Sequence, residues 1–559
     1  MGEETLGHEQ VEFVPGARHG DITKTPLLLD FGVRACGEIR RDASSTTFST
    51  KDRPPFPTLG RMRGRENEII LIQKGNPGVI AGHIEWIEHL RSAARPGLKV
   101  AVKLQRAADA VGSQTAAKSY YPLPRITARS RPPAMPETSL VVVDPGHFHA
   151  TVVQQQMYPE LSPVVRVYAP LGPDLIDYLS RIARYNRLPQ AATDWRLDVH
   201  AGPDFLDRIR DEPPGGVAIF SGRNRGKIDR IIAALEAGLH VLADKPAIIE
   251  PADLPRLEAA LTTANEQQLV LADMMTGRHN TLVRLLQALR CDPEVFGDPI
   301  AGTGDEPGVL LSGMHYLRKV VAGLPNPRPA WYFDVREQGE GLADTGVHLV
   351  DRVHEMLFPQ QPLDWQRHIK ILAATRRPTS VSLSQFRELT GEGKWPDDLA
   401  PWIRGDVLEY LCNGRVDYRV RGLHVRLEVR WDWQAEQGDD THHALYRGTR
   451  CRLEVRQGPA ERFRPELYVL PDANIGAALQ RRITELQSSH PGIALETLGS
   501  EWRIAIPEAI RVSHDAAFAA FTRRFLACIA DPASLPARES PNLLAKYRVT
   551  TGAVEISRR

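Results

Sequence analysis

Asp344 and His348 stand four residues apart in GLADTGVHLVD (341–351), a spacing that stacks two side chains on one helix face. An imidazole titrates near neutrality and a neighbouring carboxylate can fix its tautomer, so the pair suits proton transfer. Asp351 lies one turn further on, where pairing with Arg352 is the plain structural alternative. A lysine, Lys245, ends the apolar run of HVLADKP (240–246), flanked by Asp244 and Pro246. In SLVVVDPGHFHATVV (139–153) four apolar residues run into a Gly-containing turn, as at the start of a dinucleotide-binding βαβ unit. Only Gly146 of the expected glycines is there, and Pro145, His147, Phe148 and His149 surround it.

Other groupings carry less chemistry. His348, Asp351 and His354 recur at steps of three, so only neighbouring pairs share a face well. Asp439-Asp440-Thr441-His442-His443 reads as a polar turn between strand-like stretches. No metal site is expected at either place, and no nucleophilic Ser or Cys motif stands out.

The elements that must position these residues follow from periodicity. Apolar strands are expected at 140–143, 164–170, 197–202, 216–222, 240–246 and 269–275. Helices are expected between them at 149–158, 174–188, 203–211, 227–238 and 253–267. Such alternation makes a doubly wound parallel sheet over residues 138–277, with ligands bound beyond the carboxyl ends of its strands. That rim collects DPGHFH, Ser221-Gly222-Arg223-Asn224 and Asp244-Lys245-Pro246. Residues 278–559 read as an α+β domain with a large open antiparallel sheet. There 406–433 alternates with period two around Asn413-Gly414 and Arg421-Gly422, two hairpin turn signals, and helices are expected near 474–489 and 513–530.

Composition excludes several classes. The 559 residues carry a net charge of +1, which gives no argument for nucleic acid or a charged membrane surface. No apolar run is long enough to span a bilayer, and the acidic start is unlike a secretory signal. Five cysteines, Cys36, Cys291, Cys412, Cys451 and Cys528, are far apart and never form a CxxC pair, which suggests a reduced, cytoplasmic setting. Residues 1–134 hold 20 Lys+Arg against 14 Asp+Glu, and the rest 50 against 55. This first segment is rich in Pro, Ser and Arg; a strand at 67–75 and a short helix at 79–94 are its only patterned stretches. It is expected to be a poorly ordered extension, or an artefact of an early start codon ahead of Met135.

GVAIFSGRNRGKIDRIIAALEAGLHVLADKPAI (216–248) and AWYFDVREQGEGLADTGVHLVD (330–351) together resemble the glucose–fructose oxidoreductase/inositol dehydrogenase/MocA superfamily. The first matches its turn, its helix ending in Ala-Gly and its Glu-Lys-Pro motif, here Asp244-Lys245-Pro246. The second sets Asp344, Gly346, His348 and Asp351 in register with the family's Asp-x-Gly-x-His-x-x-Asp. DPGHFHA and QGEGLADTGVHLVD are closer still to a branch of oxidoreductases with a C-terminal domain of its own. The resemblance implies NAD or NADP as cofactor and hydride transfer with a sugar, cyclitol or related polyol.

On that reading Lys245 hydrogen-bonds the reacting hydroxyl, His348 is the acid/base and Asp344 orients it or holds substrate. Gly146, His147, His149, Ser221, Arg223, Asn224, Asp244, Lys245 and Pro246 are the candidate cofactor contacts. Trp331, with Tyr332 beside it, and Arg278 and His279 are candidate substrate contacts. A homo-oligomer formed through the outer face of the open sheet is also implied. The alternatives are a non-catalytic nucleotide- or sugar-binding regulator, and a redox-neutral lyase or hydrolase that keeps NAD bound.

Overall fold

The computed structural model describes residues 138–559, except 190, 322, 323, 326 and the side chains of 320–326. Upstream it describes only the backbone of three short strands, Leu59–Arg63, Glu68–Gln73 and Lys99–Lys103. The expected helix at 79–94 and the ordering of the extension lie outside the described residues.

Six strands form the first sheet: β1 (Thr138–Val143), β2 (Leu161–Ala169), β3 (Arg196–Ala201), β4 (Val217–Phe220), β5 (His240–Ala243) and β6 (Leu271–Asp273). Their spatial order is 3-2-1-4-5-6, every pair parallel, which is the doubly wound dinucleotide-binding arrangement. Strands β1, β4 and β5 are apolar on both faces because helices cover both. The crossovers include α1 (His149–Val152), α2 (Pro173–Tyr185), α3 (Lys227–Glu236) and α4 (Leu254–Glu266). Two expectations shorten. The helix after the first turn is one four-residue turn rather than 149–158, and 203–211 yields only a 3-10 segment, Asp207–Asp211.

After α5 (Thr281–Arg290) the chain builds a ten-stranded sheet. Its long members are β7 (Val309–Tyr316), β8 (Ile369–Ser382), β9 (Val407–Val420), β10 (Leu423–Asp432), β11 (Thr441–Arg447), β12 (Cys451–Gln457), β13 (Glu466–Pro471), β14 (Ala494–Leu498) and β15 (Glu501–Ala505). They run in the order 8-9-10-7-11-12-13-15-14, with the short strand Ile403–Arg404 beside β9. Only β7 and β10 pair in parallel; the sheet is otherwise antiparallel.

Arg421-Gly422 makes the expected turn, both residues at positive φ, but Asn413-Gly414 does not. β9 runs straight through it. A Cβ on Gly414 would stand 2.5 Å from Leu342 Cγ, so this glycine admits a packed leucine instead of turning the chain.

Between β7 and β8 lie α6 (Val335–Gln338), α7 (Gly341–Asp344) and α8 (Gly346–Leu357). α9 (Leu383–Thr390) and α10 (Gly476–Leu486) follow in the sheet region, and α11 (His514–Ala530) and α12 (Glu539–Arg558) end the chain. One sheet face is covered by α5, α8, α10 and α12. There Leu285, Val353, Ile483 and Val549 share a core with Tyr418, Leu427 and Leu453 of the strands.

The last two helices also return to the first sheet. α11 lays Phe518, Phe525 and Leu526 against Val142 and Val167, and α12 sets Leu543, Leu544 and Tyr547 against the other face. Among the described residues no helix is long and apolar enough to cross a membrane.

α7 approaches β9 so closely that a Cβ on Gly341 would stand 1.9 Å from the Cys412 carbonyl oxygen. Both partners are backbone, so neither can rotate away. Gly341→Ala is expected to destabilise the fold by at least about 1–3 kcal/mol, the usual cost of overpacking. Urea unfolding measures it, and an unchanged midpoint would show that the approach is not tight.

Candidate active site

The rim beyond the strands is held together from inside. The loops after β1 and β4 meet where the strand order reverses: the Gly146 and His147 amides both donate to the Ser221 carbonyl, at 3.0 and 2.7 Å. A Cβ on Gly222 would fall 1.9 Å from the Asp144 carbonyl oxygen, so only glycine permits this approach. Beneath the loops the buried Asp244 carboxylate meets His147 Nδ1 at 2.6 Å and His149 Nδ1 at 2.9 Å, and accepts from Ser221 Oγ at 2.8 Å. Burial works to raise the Asp244 carboxyl, but the two imidazoles outweigh it and hold it well below its usual range. Burial, reinforced by His149, presses His147 down to about 4.

Lys245 and Asp344 come from the two halves of the molecule and meet. Lys245 Nζ donates to Asp344 Oδ1 at 2.8 Å, and both side chains are largely buried. Burial opposes the ammonium, yet the Asp344 and Asp244 carboxylates raise its pKa above the ordinary value. His348 lies within electrostatic reach of Lys245 and His149; burial first, then the Lys245 charge, holds its pKa well below the imidazole range. Of the predicted trio, Lys245 and Asp344 are in direct contact and His348 lies within electrostatic reach of the ammonium. Asp344 engages Lys245, and no side-chain hydrogen bond joins it to His348 among the described residues.

The remaining candidates fall on both sides of this cluster. Asn224 is buried, donating to the Gln338 carbonyl and accepting from Lys227, whose ammonium also holds the Asp244 and Pro246 carbonyls. Ser221, Asn224, Asp244 and Pro246 thus shape the rim from within, and the Lys245–Pro246 peptide is cis. Arg223 stays half-exposed at the mouth, 3.6 Å from Asp174 and stacked 5.2 Å above the Trp331 ring. Trp331 donates through Nε1 to Asp174 at 2.7 Å, and its ring occupies the space a Cβ on Gly146 would need. Arg278 is taken by Asp351 and Glu539, so it is a structural cation and not a free substrate contact. His279 packs beside Phe521. Asp351 pairs with Arg278 and Lys546 rather than Arg352, whose Nη1 lies 2.7 Å from His442 Nε2. His514 gave no signal in local spacing, because it reaches the His149 ring from α11, whereas Arg352 shares α8 with His348.

A pyrophosphate placed as in a glycine-rich loop meets little of the usual cradle: the Gly146 and His147 amides are engaged, α1 is one turn long, and Trp331 and Asp174 lie over Gly146. The cation offered at the switch point is instead Arg223.

Burial pushes the Asp174 carboxyl up to about 6, against the opposing pull of Arg223 and the Trp331 hydrogen bond. The folded state thus holds a proton that the unfolded chain has released, a stabilisation present at low pH and lost as pH rises through about 6. Thermal melting from about pH 4 to 7 is expected to show this decline in the wild type relative to Asp174→Asn. Parallel curves would contradict it.

A doubly wound parallel sheet is thus joined to an open sheet, with the Lys245–Asp344 ion pair between them. Residues 285–558 match the family described as "Putative oxidoreductase C terminal domain". A "putative oxidoreductase" from Parabacteroides merdae ATCC 43184 is 36% identical, with 76% of this chain and 98% of that chain covered and a TM-score of 0.73. The chain belongs to this family of oxidoreductases, of the glucose–fructose oxidoreductase/inositol dehydrogenase/MocA type. More distant likenesses include KijD10, a 3-ketoreductase from Actinomadura kijaniata solved with NADP and TDP-benzene (16% identity, 75% and 97% covered, TM-score 0.46). GenD2 from gentamicin A biosynthesis, solved with NAD, is 14% identical (78% and 97% covered, TM-score 0.47). No curated relative matches the chain.

Proposed function

We propose that this chain is an NAD(P)-dependent oxidoreductase acting on a carbinol of a sugar, cyclitol or related polyol. The observation that carries this reading is the buried Lys245–Asp344 ion pair across the two halves, with His348 within electrostatic reach of the lysine. The nucleotide would supply the hydride acceptor, with its phosphates toward Arg223. Lys245 holds the substrate hydroxyl and offsets charge developing on its oxygen, and His348, kept neutral, accepts the proton. Asp344 fixes the ammonium. Self-association through the outer face of the open sheet belongs to this proposal, and the four unpaired cysteines of the described residues suit a reducing, cytoplasmic setting.

The engaged Gly146 and His147 amides favour a second reading, a binding protein that has lost the cofactor. Mass spectrometry of the purified protein, with calorimetric titration of NAD+ and NADP+, separates the two. Co-purified or titratable nucleotide at about one per chain is expected; no binding of either would sink the oxidoreductase reading.

A further inference from the structure

His147, His149 and Asp244 converge in a way that the proposed hydride transfer does not use. Each offers one ligand atom, and these atoms all lie within 4.8 Å of one another. His147 and Asp244 lie in two loops of the strand rim and His149 opens α1; His149 and Asp244 are buried, and Ser221 braces the carboxylate from behind.

We propose that these three side chains bind one divalent first-row transition-metal ion, of which Zn2+ is the reference. Two imidazoles and a carboxylate are a donor set that such ions favour over Mg2+ or Ca2+, which take oxygen ligands. The imidazole nitrogens stand 2.6 and 2.9 Å from the carboxylate oxygens. Two ligands of one tetrahedral ion lie about 3.3–3.6 Å apart when its bonds are about 2.0–2.2 Å, so shifts of up to about 1 Å admit the ion. Three protein ligands leave a fourth position for water or substrate. The His514 ring, 5.7 Å from that of His149, borders the site on the side of α11. The ion would stand next to Lys245 in the chain, on the rim where substrate is expected, and could polarise a substrate oxygen there. The loop that lost its glycines thereby gains a different ligand.

The test uses full-length protein without a polyhistidine tag. Elemental analysis after growth with added Zn2+ is expected to find about one ion per chain. After chelator treatment, Co2+ should restore visible ligand-field bands with intensity typical of a four- or five-coordinate site, and excess Mg2+ should not compete. His147→Ala, His149→Ala and Asp244→Asn should each lower Zn2+ affinity by more than the roughly 10–100-fold that even an outer partner commands. His443→Ala, on β11, should leave it unchanged. Wild-type melting temperature should rise with Zn2+, a readout that needs no variant to fold. Substoichiometric metal with no Co2+ bands in the wild type, or equal affinity in all variants, would overturn the proposal. Nucleotide bound to the same preparations is scored separately, so the metal site and the oxidoreductase reading fail independently.

Discussion

Replacing Lys245 with alanine is expected to lower turnover by about 10²-fold or more, the usual scale for a group that assists proton transfer. The ammonium touches the Asp344 carboxylate of the second domain and lies within electrostatic reach of the imidazole proposed as base. Its loss also acts at a distance. Burial and the Lys245 charge together depress His348, so without that charge the imidazole pKa rises and the acid limb of the kcat/KM profile moves to higher pH. A merely structural lysine would lower activity without moving that limb. Because the variant leaves Asp344 buried and unpaired, Lys245→Ala/Asp344→Ala is the control. It should fold at least as well as the single variant and remain inactive. Activity within about threefold of wild type in either variant would remove Lys245 from the chemistry.

The largest stability effect is expected at Lys546. This side chain is 1% exposed in the middle of α12, and its ammonium donates to Asp273 Oδ2 at 2.6 Å and lies 3.3 Å from Asp351 Oδ1. Asp273 ends β6 and Asp351 lies in α8, so one cation ties the final helix to both halves. Lys546→Ala leaves the buried Asp273 carboxylate without its cation, while Asp351 keeps Arg278, and is expected to cost about 3–5 kcal/mol. The exposed pair Arg559–Glu555 at the end of the same helix should contribute less than about 1 kcal/mol. Urea unfolding of the two variants side by side tests the contrast, and similar losses would show that Lys546 is not the tie.

The fold was legible where periodicity and burial agree. The six parallel strands are short apolar runs between helices, and β9 and β10 alternate with period two. Asn413-Gly414 misled because a glycine needed for close packing looks like one needed for a turn. α12 went unread for the opposite reason: buried residues surround it on every side, among them Asn542, Lys546 and Thr550, so no apolar stripe marks it. In the site, Lys245, Asp344 and His348 stood out because each lies in a dense local motif. The partners of His147 and His149 did not, since Asp244 is 97 and 95 residues away. The same holds for Trp331 over Gly146, a contact that redirects the reading of the first loop from phosphate to side chains.

The most direct measurement of the central claim follows the hydride itself. Excess enzyme is mixed with NAD+ or NADP+ and a panel of sugars and cyclitols deuterated at their carbinol carbons, then quenched within one turnover and analysed by mass spectrometry. The account predicts deuterium on the nicotinamide ring with at least one substrate, and none with Lys245→Ala. Turnover of a substrate whose label never reaches the nucleotide would contradict it.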